Sequence, residues 1–162
     1  MENDRVLEGK ETEIVQVGVV VKDLDKTMEH LTSLGLGPFK VLTVYHPSAT
    51  VKGKKVSYQV RLALSQQGPV QLELIEYQKG ETIQKDFLDE RGEGLHHIKF
   101  NVQDLDKTLD AFGKKGIEVL QQDRFVGGGG LAYMATDKIG GMIMEVVQPP
   151  PDYDPEKGVR YE

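Results

Sequence analysis

The chain has 162 residues, 38% of them hydrophobic and 28% charged, which is the make-up of one globular domain able to bury a core without staples. A net charge of −6 and a pI near 5.3 exclude the basic face that nucleic acid or an anionic membrane selects. Cysteine is absent, so disulfides, thiolate-ligated zinc and thiol nucleophiles drop out, and a cytoplasmic location is expected.

Residues 1–13 are charged and lack the apolar core of a signal peptide. Apolar runs such as 19–21 are far too short to span a bilayer. Residues 14–21 then read as a strand, with Val17, Val19 and Val21 on one face and Gln16, Gly18 and Val20 on the other. Asp23 suits an N-cap, Leu24, Met28 and Leu31 form a helical stripe, and Gly35 suits the helix end. Strands are expected over 39–45, 56–64 and 69–77, the last carrying a single carboxylate, Glu73, between Leu72 and Leu74.

The chain then repeats itself. Asp-Leu-Asp-Lys-Thr occurs at 23–27 and again at 104–108, an offset of 81 residues. The same offset relates Leu24, Met28 and Leu31 to Leu105, Leu109 and Phe112, and Gly35 to Gly116. It also relates Gln16 to His97, which shares a strand face with Lys99 and Asn101 while Ile98, Phe100 and Val102 take the other. Further strands are expected over 118–120, 131–136 and 142–148, the last carrying Glu145 between Met144 and Val146. Glu73 and Glu145 stand 72 apart, so the first copy holds a longer loop, most simply within 45–55. Two copies of a strand–helix–three-strand unit, over about 13–78 and 94–149, make a single α+β domain spanning 1–150, followed by a Pro-rich tail at 151–162 that is poorly ordered or draped on the surface.

Four residues occupy paired places in the copies: Gln16, Glu73, His97 and Glu145. An amide oxygen, two carboxylates and an imidazole converging in one cleft suit a divalent ion such as Zn²⁺, Co²⁺, Ni²⁺ or Mn²⁺, with positions open to substrate. Each residue alone is unremarkable in a strand. Their symmetric placement is what raises them.

The sequence Val17-Gly18-Val19-Val20-Val21-x-Asp-Leu and the sequence Gly94-Leu95-His96-His97-Ile98 resemble the paired strand openings of the vicinal oxygen chelate (glyoxalase/bleomycin resistance/dioxygenase) superfamily. Gly140-Gly141-x-x-x-Glu145 and Gln71-Leu72-Glu73-Leu74-Ile75 are similar to methylmalonyl-CoA epimerases in particular. The resemblance implies paired βαβββ modules forming a U-shaped mixed sheet around one metal cleft, with Gln16, Glu73, His97 and Glu145 as metal ligands. His97 would face the cleft and His96 point away. It further implies a small-molecule substrate (an acyl-CoA or a thiol adduct), a homodimer, and no nucleic-acid or membrane partner. The epimerases usually carry His where this chain has Gln16, and a Gln/Glu/His/Glu set occurs in some glyoxalase I enzymes. They also carry a second catalytic Glu near the stretch that here reads Val51-Lys52-Gly53-Lys54-Lys55-Val56, without a carboxylate. Two-base epimerisation therefore needs another partner in this chain.

The expected chemistry is removal of a proton next to a carbonyl, with Glu145 as the base and Glu73 able to serve on the other face. On an acyl-CoA this is epimerisation; on a hemithioacetal it is the glyoxalase I (lactoylglutathione lyase) reaction. A metal-free binding protein of the same fold is the third reading, opposed by the cost of two buried carboxylates without a cation. The glycines at 127–130 lack a phosphate-loop context and suit a loop at the cleft mouth or a plain hairpin. Lys52, Lys54, Lys55 and Arg61 form the one local basic cluster, and His30 on a helix and His46 in a loop receive no role.

Overall fold

The computed structural model describes residues 4–162; residues 1–3, where the expected domain begins, lie outside the described residues. Eight strands and three α-helices follow in order: β1 (Gln16–Val21), α1 (Leu24–Ser33), β2 (Lys40–Val51), β3 (Lys54–Gln67), β4 (Val70–Gly80), α2 (Ile83–Arg91), β5 (Gly94–Asn101), α3 (Leu105–Lys114), β6 (Val119–Arg124), β7 (Gly130–Met134) and β8 (Ile143–Gln148). The α+β class and the doubled strand–helix–three-strand plan are those expected.

The repeat shows in the helix ends. The side chain of Asp23 accepts from Lys26 N and that of Asp104 from Lys107 N, both at 3.0 Å. Each helix also has its first amide tied to the last strand of its own module, Leu24 N to Glu76 Oε2 at 2.7 Å and Leu105 N to Gln148 Oε1 at 2.8 Å. At the other end, Leu36 N returns to Leu31 O and Ile117 N to Phe112 O, with Gly35 and Gly116 at positive φ. The apolar stripes pack on the outer sheet face, α1 over Val21, Ala63 and Leu74, α3 over Ala132, Met134 and Val146. Burying Leu24 and Leu105 completely stabilises each contact by about 2 kcal/mol.

Within each module the sheet order is β1-β4-β3-β2 and β5-β8-β7-β6, and the modules join where β1 runs antiparallel to β5. The sheet curls further than a U. The expected longer loop at 45–55 is a continuation of the β2–β3 hairpin, and its far end pairs with β6 through Thr50↔Gln122 and Val51↔Gln121. Those pairs close the sheet into a barrel. The glycine run is the turn of the β6–β7 hairpin rather than a mouth loop; at Gly129 a Cβ would lie 2.2 Å from Gln148 O, so the backbones approach too closely for any side chain.

Two segments fall outside the expected plan. The helix α2 sends Ile83 into the inner cluster with Val51, Phe125, Leu131 and Tyr133. The C-terminal residues form a strap: Tyr161 bridges to Phe125, Val126 N bonds to Arg160 O at 2.8 Å and Glu162 N to Arg124 O at 3.0 Å. Its Tyr161 ring packs against the inner cluster, so this part of the tail is anchored through its side chain. Among the described residues no helix is long and apolar enough to cross a membrane.

Candidate metal and proton-transfer site

The junction of β1 and β5 carries the site. Gly18 lies opposite His97 on β5 and opposite Glu73 on β4, and Lys99 pairs with Glu145 on β8. Side chains at paired positions share a sheet face, so the register brings the imidazole and both carboxylates to the inside of the barrel. Glycine at 18 is what makes room. A Cβ there would stand 2.0 Å from His97 Cε1 and 2.4 Å from Nε2, inside the ring's own volume.

The structure brings together Glu73, His97 and Glu145. His97 Nε2 lies 3.2 Å from Glu145 Oε2 and 3.5 Å from Glu73 Oε2. Gln16 stands on the same inner face, its Nε2 donating to Gln71 Oε1 at 2.7 Å, while its own Oε1 accepts no hydrogen bond among the described residues. All four are buried, at 4% exposure for Gln16, 8% for Glu73, 0% for His97 and 4% for Glu145.

Charge balance explains the arrangement. Burial works against a charged His97 ring, but Glu145 and Glu73 more than offset it and raise its pKa to about 9. The ring is thus an imidazolium at neutral pH, supplying the positive charge that two enclosed carboxylates demand. Glu145 shows the reciprocal effect: burial opposes its charge, yet His97, with Lys99 and Tyr133, brings its pKa below the ordinary carboxylate value.

His96 corrects an expectation. It does not point away; the β1–β5 register shifts between Gly18 and Val19, and this irregularity sets His96 Nδ1 3.0 Å from His97 Nδ1. Its pKa falls to about 3, through burial first and then the neighbouring charges of His97 and Arg91, so the ring is neutral. A neutral His96 accepts from the protonated His97 Nδ1, which fixes the orientation of the His97 ring and leaves Nε2 facing the carboxylates.

Among the described residues no group of three or more His, Asp or Glu side chains is already spread as a metal cage. The donor types, an imidazole, two carboxylates and an amide, are nevertheless those a divalent cation takes. His97 Nε2 and Glu145 Oε2 are both buried without a hydrogen-bond partner, because at 3.2 Å they are close but not aligned on one another. A divalent ion replacing the ring proton would satisfy both atoms.

The sequence left other inward groups unassigned. Tyr133 on β7 packs edge-on to His97 at 5.1 Å between centroids. Gln121 on β6 accepts from Thr82 Oγ1 and Ile83 N and donates to the Tyr58 hydroxyl. His46, expected in a loop, lies in β2 and pairs with Asp123 of β6 at 2.6 Å. The signal that could have found them was alternation: Gln121 and Asp123 share one strand face, but the strand was expected to stop at 120.

A family model described as Glyoxalase/Bleomycin resistance protein/Dioxygenase superfamily matches residues 15–134. The uncharacterized protein YqjC of Bacillus subtilis (strain 168) is 28% identical over 136 residues, covering 77% of this chain and 96% of that one. Methylmalonyl-CoA epimerase from Mycobacterium tuberculosis superposes with a TM-score of 0.63 at 23% identity, over 90% of this chain and 93% of the other. A variant of the Streptomyces coelicolor epimerase in complex with 2-nitronate-propionyl-CoA gives 0.63 at 24% identity, over 89% and 99%. Since the family model takes in most of the length, including β1, Glu73 and His97, the chain belongs to the glyoxalase/bleomycin resistance protein/dioxygenase superfamily.

Proposed function

We propose that the chain is a metal-dependent isomerase that removes a proton α to a carbonyl or thioester, of the methylmalonyl-CoA epimerase kind. The observation that carries this reading is His97 Nε2 held between two buried carboxylates, with Gln16 on the same face. Gln16, Glu73, His97 and Glu145 would hold the ion. When bound, a divalent cation supplies Lewis-acid polarisation of a substrate oxygen.

The chain's own groups do the remainder. Glu145 takes the α-proton, a role suited to a carboxylate that stands at the inner wall beside the Tyr133 phenol. The fully buried setting of His97 excludes water, so charge developing on the substrate is met by fixed groups rather than by reorganising solvent. His96 holds the His97 ring in place through Nδ1. Some of the epimerase structures in the comparison hold CoA ligands, 2-nitronate-propionyl-CoA in one and methylmalonyl-CoA in another, which supports an acyl-CoA as the substrate class.

A glyoxalase I-type reaction on a hemithioacetal is the second reading, favoured by the amide of Gln16 in the donor set. Solvent-deuterium incorporation into methylmalonyl-CoA, measured beside turnover of methylglyoxal with glutathione, separates the two. The expected result is incorporation by the metal-loaded protein and none by Glu145→Ala. Turnover of the glutathione adduct alone would move the assignment to the lyase, and failure of both would favour a binding protein. Metal analysis should find about one divalent ion per chain, lost in Glu145→Ala.

A further inference from the structure

The barrel interior holds a second buried acid–base pair that the chemistry above leaves unused. His46 is 4% exposed and Asp123 3%, with His46 Nδ1 2.6 Å from Asp123 Oδ2. Asp123 Oδ1 accepts Arg124 N at 2.9 Å, which fixes the carboxylate. The imidazole lies flat on Tyr58, with centroids 4.1 Å and planes 12° apart, and the Tyr161 ring covers it at 3.9 Å. Its Nε2 has no hydrogen-bond partner among the described residues.

The place of this pair matters as much as its chemistry. In the cyclic strand order the β2–β6 seam is diametrically opposite the β1–β5 junction that holds His97. Tyr161 reaches into the interior: its ring touches His46 and packs against the inner cluster that contains Tyr133, the strand neighbour of Glu145. The ring thus lines the barrel interior beside His46, against the cluster that leads through Tyr133 to Glu145 and His97.

We propose that His46, oriented by Asp123, is the proton-transfer group on the substrate face opposite Glu145, with the acyl group taking the interval that the Tyr161 ring fills. This rests on the isomerase reading. In one direction the α-carbon–hydrogen bond breaks and its proton passes to the Glu145 carboxylate. The electron pair moves into the enolate, and a new carbon–hydrogen bond forms on the opposite face with the proton of the His46 imidazolium. The reverse direction exchanges the two roles, and solvent protons reset both groups between turnovers. Asp123 is a positioning residue that accepts from Nδ1 and stabilises the charged ring. The pair supplies the second base that the sequence at 51–56 does not.

A purely structural pin across the seam is the competing role, and the test separates them. Each enantiomer of methylmalonyl-CoA is incubated separately in deuterium oxide with metal-loaded wild type, His46→Gln and Asp123→Asn. The wild type should invert both and label both. His46→Gln should lose inversion by at least about 100-fold, the usual scale for a general acid–base group, while still labelling the one enantiomer whose α-proton faces Glu145. Asp123→Asn should show the same split with a smaller loss, and it decides the matter if His46→Gln melts below the assay temperature. Inversion unchanged, or inversion and labelling falling in parallel in folded variants, overturns the assignment. A metal-loaded wild type that neither labels nor inverts overturns the isomerase reading itself, and the role for His46 falls with it.

Discussion

At the scale of single residues the site depends on a missing side chain. The backbone of Gly18 is in an ordinary conformation, so nothing but space argues for glycine there. A methyl group would overlap three atoms of the His97 ring at 2.0–2.5 Å, and the ring cannot yield because it is wholly buried. Gly18→Ala should therefore lose most of its bound metal and about 1–3 kcal/mol of stability, the scale of overpacking. Metal analysis and a thermal melt check this; full metal with an unchanged Tm would show that the ring sits elsewhere. The same ring predicts a pH dependence for the metal-stripped protein. Its pKa rises from an ordinary 6.5 to about 9 on folding, with burial opposing and Glu145 and Glu73 prevailing. The folded state binds the proton more tightly than the unfolded one, so this contribution is complete below about pH 6.5 and is lost as pH rises through about 9. Denaturant midpoints of stripped protein should fall across that window, and restored metal, which on the proposed assignment would take the place of the Nε2 proton, should flatten the fall.

At the scale of elements, α2 shows how a helix can be held from outside. The Thr82 side chain makes no cap bond to the backbone of its own helix. Instead Gln121 Oε1, arriving from β6, accepts from Ile83 N at 3.0 Å and from Thr82 Oγ1 at 3.1 Å, while its Nε2 donates to the Tyr58 hydroxyl. Gln121→Leu leaves Ile83 N and the Tyr58 hydroxyl buried without these partners, at about 1–3 kcal/mol for each, while Thr82 Oγ1 keeps its bond to Gln84. Its melt should fall by several degrees, and amide exchange should speed up first at the start of α2; uniform loss of protection would contradict this. The example also marks where sequence reading stops. Helices α1 and α3 were legible because stripe, cap and terminal glycine are all local and occur twice. Helix α2 was not, since its stabilising partner lies 38 residues away and its own sequence is mostly charged. Strand β2 was read only to Tyr45 because Pro47 and the register shift between His46 and Ala49 break the two-residue period. That break also hid His46. For the candidate site, the offset of 81 singled out Gln16 and His97, whereas the β1–β5 irregularity that turns His96 toward His97 has no signature in the residues themselves.

At the scale of the whole molecule, the two modules are alike in plan but the additions to them are unequal, and the inequality encloses the site. The extended β2–β3 hairpin closes the barrel, and the C-terminal strap sets Tyr161 against His46 and Phe125. With His97 at 0% exposure and both carboxylates under 10%, neither an ion nor a substrate reaches the interior of this conformation without some part withdrawing. The strap is the segment best suited to do so. A handful of backbone hydrogen bonds holds it, whereas α1 and α3 are held by continuous apolar stripes. Tyr161→Ala should remove that cover, lowering stability by about 3 kcal/mol as a large-to-small change in a packed position. It should also speed loss of metal to a chelator by about tenfold or more, since local opening no longer requires extraction of the ring. General destabilisation is separated by a second variant, Leu109→Ala on α3, chosen because it packs in the outer cluster, which contains no strap residue. If Leu109→Ala releases metal as fast at a matched drop in Tm, access runs through global unfolding and the strap is only a structural tie. If Tyr161→Ala alone is fast, the path to the site opens beneath the C-terminal strap.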